Sequence, residues 1–351
     1  MKAIIRTGME YGALALTEKP IPKPGCDDVL VKVMAAGLCG SDMNIYTGKN
    51  TSALPGVTIG HEFSGEVVET GSNVTRFKPG DRVVSDNTGA VCGTCYACSK
   101  GEYLMCRERK GLGFQLDGGF AEYVLIPGEG LRVFPNCLMK IPENTGYEAA
   151  SILDPYANAY NALIQQGGMQ PGDVVLVAGA GALALSSIEM ARVAGASKII
   201  CLVRSSTSEE ARAAAVKYGA DIILESDRDD FASTILDETG GEGIPIVVDA
   251  AGSNSLYDPF IRLLRRGGRL VKIGYDFGPL SASLVQTTVK NISVVGHMGY
   301  NPTSWKQILA LLDTGKLDPT RQISKIMSLK DYHDAFELTL AGKVIKIVFK
   351  P

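Results

Sequence analysis

Four of the eight cysteines fall at Cys92, Cys95, Cys98 and Cys106, separated by two, two and seven residues. Thiols this close in sequence can turn toward one centre on a tight loop, whereas disulfide geometry between such near neighbours is generally prohibited. The spacing reads as a closed four-thiolate structural zinc site. It lacks the two, two, three and proline pattern of a ferredoxin-type iron-sulfur cluster. These cysteines lie in segment 87–113, which has no helical or strand period of its own and needs a metal to hold it. The segment is therefore expected to be a lobe clipped onto a larger domain. Cys26, Cys137 and Cys201 read as isolated structural thiols.

The chain around the lobe reads as short strands. Residues 1–6, 13–16, 29–35, 63–68, 81–85 and 121–126 are β-branched or alternating runs, punctuated by Pro20, Pro22, Pro24, Gly71, Pro79, Gly80, Gly118 and Gly119. An antiparallel, barrel-like region is expected. Near Asp173 the period changes. Residues 173–178 form a continuous apolar run of buried parallel-strand type, followed by a glycine turn and an amphipathic stretch to 194. Further strands at 198–203, 221–224, 245–249, 269–274 and 292–295 are separated mostly by helical stretches, at 209–218, 229–238 and 255–264.

Six strands with a glycine turn after the first is the pattern of a dinucleotide-binding, doubly wound parallel sheet. Gly179 permits the sharp turn, Gly181 lets a pyrophosphate approach the backbone, and Ala184 supplies the small third residue for helix-to-strand packing. The expected cofactor-binding set is Gly179, Gly181, Ala182 and Leu183 in the turn, Val203, Arg204, Ser205 and Ser206 after the second strand, and Ala250, Ile273 and Gly274 after later ones. Beyond 296 the pattern shifts to helices at 304–313 and 331–340 and a last strand at 344–349, which is not expected to extend the parallel sheet. An α/β protein follows, with a catalytic domain at 1–152 and 297–351 and a dinucleotide-binding domain at 153–296 inserted in it.

At 351 residues the chain has room for two domains, and 45% hydrophobic with 21% charged residues is an ordinary globular composition. A net charge of -3, without Lys/Arg clusters interleaved with aromatics, removes nucleic acid as a partner. No apolar stretch reaches the roughly 18 residues that span a bilayer, so no membrane partner and a cytoplasmic location are expected. There is no internal repeat.

A second metal constellation involves one of only three histidines. Cys39, His61 and, before Pro155, Asp154 are the sulfur, nitrogen and oxygen donors that a catalytic zinc takes while keeping one position open. Each alone is an ordinary core residue; their neighbours in sequence argue otherwise. Residues 37–42 read Gly-Leu-Cys-Gly-Ser-Asp and 60–65 Gly-His-Glu-Phe-Ser-Gly. Then come 71–74, Gly-Ser-Asn-Val, and 79–83, Pro-Gly-Asp-Arg-Val, the four cysteines, 117–123, Asp-Gly-Gly-Phe-Ala-Glu-Tyr, and 179–181, Gly-Ala-Gly. In this order they resemble the zinc-dependent medium-chain alcohol dehydrogenases over essentially the whole chain. The resemblance is greatest to the branch of polyol (sorbitol/L-iditol), threonine and butanediol dehydrogenases.

The resemblance implies a GroES-like, partly open β-barrel catalytic domain, an inserted Rossmann coenzyme domain, and a homotetramer or homodimer. It makes Cys39, His61 and Asp154 ligands of a catalytic zinc, with Glu62 an adjacent carboxylate that ligates when water or substrate shifts. Such a zinc lowers the pKa of a bound hydroxyl, to about 7 for water in well-tuned sites, and hydride passes to the nicotinamide. The proton leaves through Ser41. A histidine usual in the relay is Asn44 here; an amide cannot titrate, which leaves a water chain, Asp42 or Tyr46. Asn161 also replaces a family histidine, and Gly299 and Tyr300 stand where polyol dehydrogenases have Arg-Tyr. Tyr300 is still expected to line the pocket and His297 to be packing. The implied function is hydride transfer between a secondary alcohol, a polyol, sugar or cyclitol hydroxyl, and a nicotinamide cofactor. Amino-alcohol or vicinal-diol oxidation is second, and a non-catalytic NADPH-binding protein third. Two zinc ions per chain are expected. The second nucleotide strand ends in Val203-Arg204-Ser205-Ser206 without the acid that repels a 2′-phosphate, so NADP(H) is expected over NAD(H).

Overall fold

The computed structural model describes residues 1–276, 278–280 and 282–351. The chain divides into two compact units, Met1–Asp154 with Asn301–Pro351, and Pro155–Tyr300. Among the described residues no helix is long and apolar enough to cross a membrane.

The first unit is built on a seven-stranded sheet. Its path runs Ile323–Ser328, Lys346–Lys350, Val29–Gly37, Glu62–Thr70, Arg82–Ser85 and Leu138–Lys140, and Tyr123–Ile126 also pairs with Val29–Gly37. All pairs are antiparallel except the first, which is parallel. Alternation explains the long central strands: Val29, Val31 and Val33 face a core with Phe63, Phe120 and Phe349. The last strand joins this sheet and not the nucleotide sheet. Ile323–Ser328 went unforeseen because it is an edge strand whose Ser324, Lys325 and Ile326 are all exposed, leaving no alternation to read. One register matters for everything below: Gly37 pairs with Glu62. It sets the chain just past one strand beside the chain just before the other, so Cys39 and His61 become neighbours.

The lobe has more local structure than its sequence suggests. Thr88–Ala90 pairs with Lys110–Gly111, and a helix, Tyr96–Ser99, and a 3-10 turn, Tyr103–Met105, lie between them. Tyr103 stacks on Phe134 with ring centroids 4.5 Å apart.

The second unit carries a six-stranded, all-parallel sheet ordered Ile222–Glu225, Lys198–Val203, Val174–Ala178, Ile244–Asp249, Leu264–Lys272 and Ser293–Gly296. Numbered along the chain this is 3-2-1-4-5-6, the doubly wound dinucleotide-binding order. The helix expected to reach 264 stops at Leu263, and the fifth strand starts at Leu264 rather than 269. Helix Asp154–Tyr160 widens into a π-helical turn, Asn161–Gln166. Helix and turn together work as a clamp: Asn158 of the helix and Gln166 of the turn flank the two ring nitrogens of His297, at 3.1 and 2.7 Å, and Asn161 Nδ2 donates to Gly299 O at 3.1 Å.

Candidate active site

In the lobe, the sulfurs of Cys92, Cys95, Cys98 and Cys106 all lie within 4.8 Å of one another. Thiolates held about 2.3 Å from a tetrahedral ion stand about 3.8 Å apart. The Cys92 and Cys106 sulfurs are separated by 3.6 Å. Backbone N–H groups of Thr94 and Cys95 hold the Cys92 thiol down, to about 6, whereas burial pushes Cys98 up to about 12. A divalent ion would bring all four to thiolate. The set fits a closed structural zinc.

The second constellation starts from a helix cap. Cys39 caps helix Gly40–Tyr46; its sulfur accepts the Asp42 N–H, and its own N–H donates to Asp42 Oδ2 at 3.0 Å. Gly60, just before His61, has φ +88, and a Cβ there would sit 2.2 Å from the Phe120 ring, so only glycine admits this approach.

Cys39, His61 and Glu62 offer donor atoms within 4.8 Å of one another. Asp42 Oδ1 lies 3.3 Å from His61 Nδ1, an electrostatic contact rather than an aligned hydrogen bond, and Ser41 Oγ stands 3.3 Å from Nε2. Nε2 faces Ser41 and is the nitrogen that would be offered to a metal, with the Asp42 carboxylate behind the imidazole. Burial alone would lower the His61 pKa, but the charges of Asp42 and Cys39 outweigh it and raise it well above the usual range. Surroundings that favour a proton there also favour a dication.

Glu62 is itself buried, with Lys346 Nζ 2.5 Å from its Oε2. Burial raises the Glu62 pKa, Asp154 adds to the rise, and Lys346 opposes it. The structure groups Glu62, not Asp154, with Cys39 and His61; Asp154 opens helix Asp154–Tyr160 close enough for its charge to act on both Glu62 and Lys346. The donor set suits a catalytic zinc with an exchangeable carboxylate.

The two relay candidates have partners of their own. Asp42 is fully buried, with Oδ2 accepting the Cys39 N–H and Oδ1 against His61 Nδ1. Tyr46 donates its hydroxyl to Glu337 at 2.9 Å, and burial with that contact raises its pKa. Ser41 lies inside the helix rather than at its cap, and the half-buried Asn44 follows one turn later. His297 is buried with its pKa lowered to about 4, a neutral packing histidine, and Tyr300 is buried.

In the second unit Gly179 has φ +110, and Gly181 caps helix Ala182–Val193 with Leu183 in its first turn and Ala184 buried against the sheet. Ala250 N donates to Ala178 O at 3.1 Å, and the N–H groups of Ile273 and Gly274 both donate to Asp249 O. These positions thus cluster at the carboxyl ends of the central strands, where doubly wound sheets take ligands. After Val203, Arg204 and Ser206 are exposed. Ser205 donates its N–H to Asp227 Oδ1 at 2.9 Å and its hydroxyl to the same carboxylate. Asp227, arriving from beyond the third strand, was missed; no spacing rule links it to the second strand. Lys346 was missed too, though a lysine set between Val344-Ile345 and the apolar run Ile347-Val348-Phe349 was the available signal.

The lone thiols differ among themselves. Cys137 and Cys201 are buried, with raised pKa values, and Cys26 is exposed.

Comparison with known proteins accounts for this combination. The alcohol dehydrogenase GroES-like domain family matches residues 25–136 and the zinc-binding dehydrogenase family residues 182–314. The chain is 33% identical to a sorbitol dehydrogenase of Halalkalibacterium halodurans, covering 100% of this chain and 99% of that one. It is 35% identical to an L-threonine 3-dehydrogenase of Pyrococcus furiosus, covering 99% and 98%. Among solved structures it is similar to a putative zinc-binding dehydrogenase of Sinorhizobium meliloti bound to NADP, with a TM-score of 0.90 and 29% identity over 100% of this chain and 99% of that one. The chain belongs to the zinc-type medium-chain alcohol dehydrogenases, in the polyol and threonine dehydrogenase branch, and is an NAD(P)-dependent enzyme that moves hydride between an alcohol and a nicotinamide cofactor.

Proposed function

We propose that the substrate is a secondary hydroxyl of a polyol, sugar or cyclitol. The observation that carries this is the Cys39, His61 and Glu62 donor set beside the Ser41 hydroxyl, together with the likeness to a sorbitol dehydrogenase. Zinc held there, with Asp154 completing the ligand set, supplies Lewis acidity that lowers the pKa of an alcohol. The protein's own residues do the rest. Asp42 fixes the His61 ring, Lys346 restrains Glu62, and Ser41, able both to donate and to accept, takes the alcohol proton toward solvent along the face that bears Asn44. A second zinc in the cysteine lobe holds that loop. NADP(H) is the preferred cofactor, bound over Gly179 to Leu183, with Arg204 and Ser206 at its 2′-phosphate.

We further propose a homo-oligomer, dimer or tetramer. The supporting feature is the edge strand Ser293–Gly296, whose Val294 is exposed, as are Val285, Val289 and Met298 in the flanking sequence, an apolar exposure of the kind that chains cover by association. Eight unpaired thiols suit a reducing, cytoplasmic compartment. Screening neutral and charged polyols, sugars, cyclitols and amino alcohols for cofactor reduction tests the substrate class. Turnover restricted to amino alcohols such as threonine would contradict it.

A further inference from the structure

Where the barrel passes into the cysteine lobe, a guanidinium is fixed behind the ring that packs on His61, in a way that neither the fold nor the chemistry above uses. Asn87 is buried with φ +62, a left-handed conformation uncommon outside glycine and often kept at functional sites. Its N–H donates to Ser85 Oγ at 3.0 Å, and its carbonyl accepts from Leu112 N at 2.8 Å. So pinned, its side-chain oxygen accepts a hydrogen bond from Arg109 Nη2.

That bond lays the guanidinium over Gly111: a Cβ there would stand 3.3 Å from Arg109 Nη1 and 3.1 Å from the Phe114 ring. Phe114 in turn packs on His61, ring centroids 5.1 Å apart. Gly113, in the same segment, lies against the backbone of Gly60, where a Cβ would meet Gly60 O at 2.8 Å. Arg109 is thus separated from the His61 imidazole by Phe114.

Arg109 is also under-satisfied. Among the described residues its one acceptor is the neutral amide oxygen of Asn87, its Nε is buried without a partner, and no carboxylate lies within ion-pair distance. Adjacent Glu108 pairs with Arg107, and Asp86, the acid beside Asn87, is fully buried: burial raises it to about 7 against the opposing charge of Arg109, and its Oδ1 takes the Thr88 N–H at 2.8 Å. A rigid guanidinium with unfilled donors beside a reaction centre is the arrangement that recognises a carboxylate or phosphate.

We propose that Arg109, held by Asn87, is a specificity-determining residue that binds an anionic group, carboxylate or phosphate, carried by the alcohol substrate away from the carbon that is oxidised. This rests on the polyol reading above and narrows it to polyol acids and polyol phosphates.

The test compares kcat/KM of the zinc-loaded enzyme for a pentitol, its terminal phosphate and the corresponding pentonate. One of the two anions is expected to exceed the neutral polyol by roughly 10- to 100-fold, the scale of a hydrogen bond to a charged group. Which one does so identifies the source of the charge. In Arg109→Gln the ratio of anionic to neutral kcat/KM is expected to collapse toward one, mainly through KM, and Arg109→Lys to restore part of it. Equal kcat/KM for all three in the wild type, or an equal loss for all three in Arg109→Gln, overturns the proposal while neutral-polyol turnover leaves the polyol reading standing. Loss of lobe zinc from Arg109→Gln would make the residue a clamp and also overturn it. If no polyol of any kind turns over, the polyol reading fails, and calorimetric titration of the phosphate and the pentonate into wild type and Arg109→Gln decides: weaker binding of either by the variant supports Arg109, equal affinity overturns it.

Discussion

Lys346 Nζ lies 2.5 Å from Glu62 Oε2, and both side chains are shut away from solvent at the edge of the metal donors. Two buried charges repay their desolvation only when they stay together; removing one leaves the other uncompensated, at a cost of about 3–5 kcal/mol. Lys346→Met should lower stability by that order, and Lys346→Met with Glu62→Leu should recover most of it. Urea unfolding of the two single variants and the double checks this. Simple additivity of the two losses would mean the pair is not coupled.

The relay can be dissected at three hydroxyl or amide positions. Ser41→Ala should cut turnover by about 10²–10⁴, the usual span of general acid–base catalysis, and Asn44→Ala far less. Tyr46→Phe should leave the pH profile of kcat unchanged and cost about 1 kcal/mol of stability, because its hydroxyl serves Glu337. Steady-state kinetics across pH distinguishes them. Equal, small effects at Ser41 and Asn44 would remove Ser41 from proton transfer.

The cofactor preference turns on Arg204. With Ser205 already bonded to Asp227, the exposed guanidinium of Arg204 is the main donor left for a 2′-phosphate at the end of the second strand. The wild type should favour NADP(H), and Arg204→Ala should reduce the NADP to NAD ratio of kcat/KM by roughly 10-fold or more, as expected for one charged hydrogen bond. A wild type that favours NAD, or a ratio unmoved by the substitution, counts against it.

His297 makes a pH signature in the nucleotide unit. Burial lowers its pKa to about 4 from the ordinary 6.5 of a solvated histidine. In the window between those values the unfolded chain binds a proton there that the folded chain does not. Its contribution is thus whole above the unfolded pKa and shrinks as pH falls toward the folded one, by up to about 3 kcal/mol. The drop in unfolding free energy from pH 7 to pH 4.5 should be smaller for His297→Gln than for the wild type. Parallel curves would show that His297 is not neutral in the fold.

The legible part of this protein was the part written in short-range pattern. The Cys92 to Cys106 spacing foretells the thiolate cluster, and the apolar run before Gly179 foretells the first nucleotide strand, because both are set by local geometry. Cys39 and His61 could be paired only by resemblance, since the register of Gly37 with Glu62 that unites them is a long-range property of the sheet. Lys346 reaches Glu62 from near the other end of the chain, and Asp227 reaches Ser205 from a neighbouring strand, so neither leaves a motif. The partners of the two relay candidates were illegible for a related reason: proximity in sequence says nothing about which distant group, His61 for Asp42 or Glu337 for Tyr46, lies against the side chain.

The central claim is that the Cys39, His61 and Glu62 site holds the zinc on which turnover depends, apart from the zinc of the lobe. Metal content per chain, measured by mass spectrometry together with cofactor reduction in wild type, Cys39→Ala and Cys95→Ala, tests it most directly. The expected result is two zinc ions in the wild type. Cys39→Ala should keep one, remain folded and lose turnover, and Cys95→Ala should lose the lobe zinc and a large part of its stability. A Cys39→Ala variant that still reduces the cofactor at near wild-type rate, or a wild type that turns over with the lobe zinc alone, would contradict it.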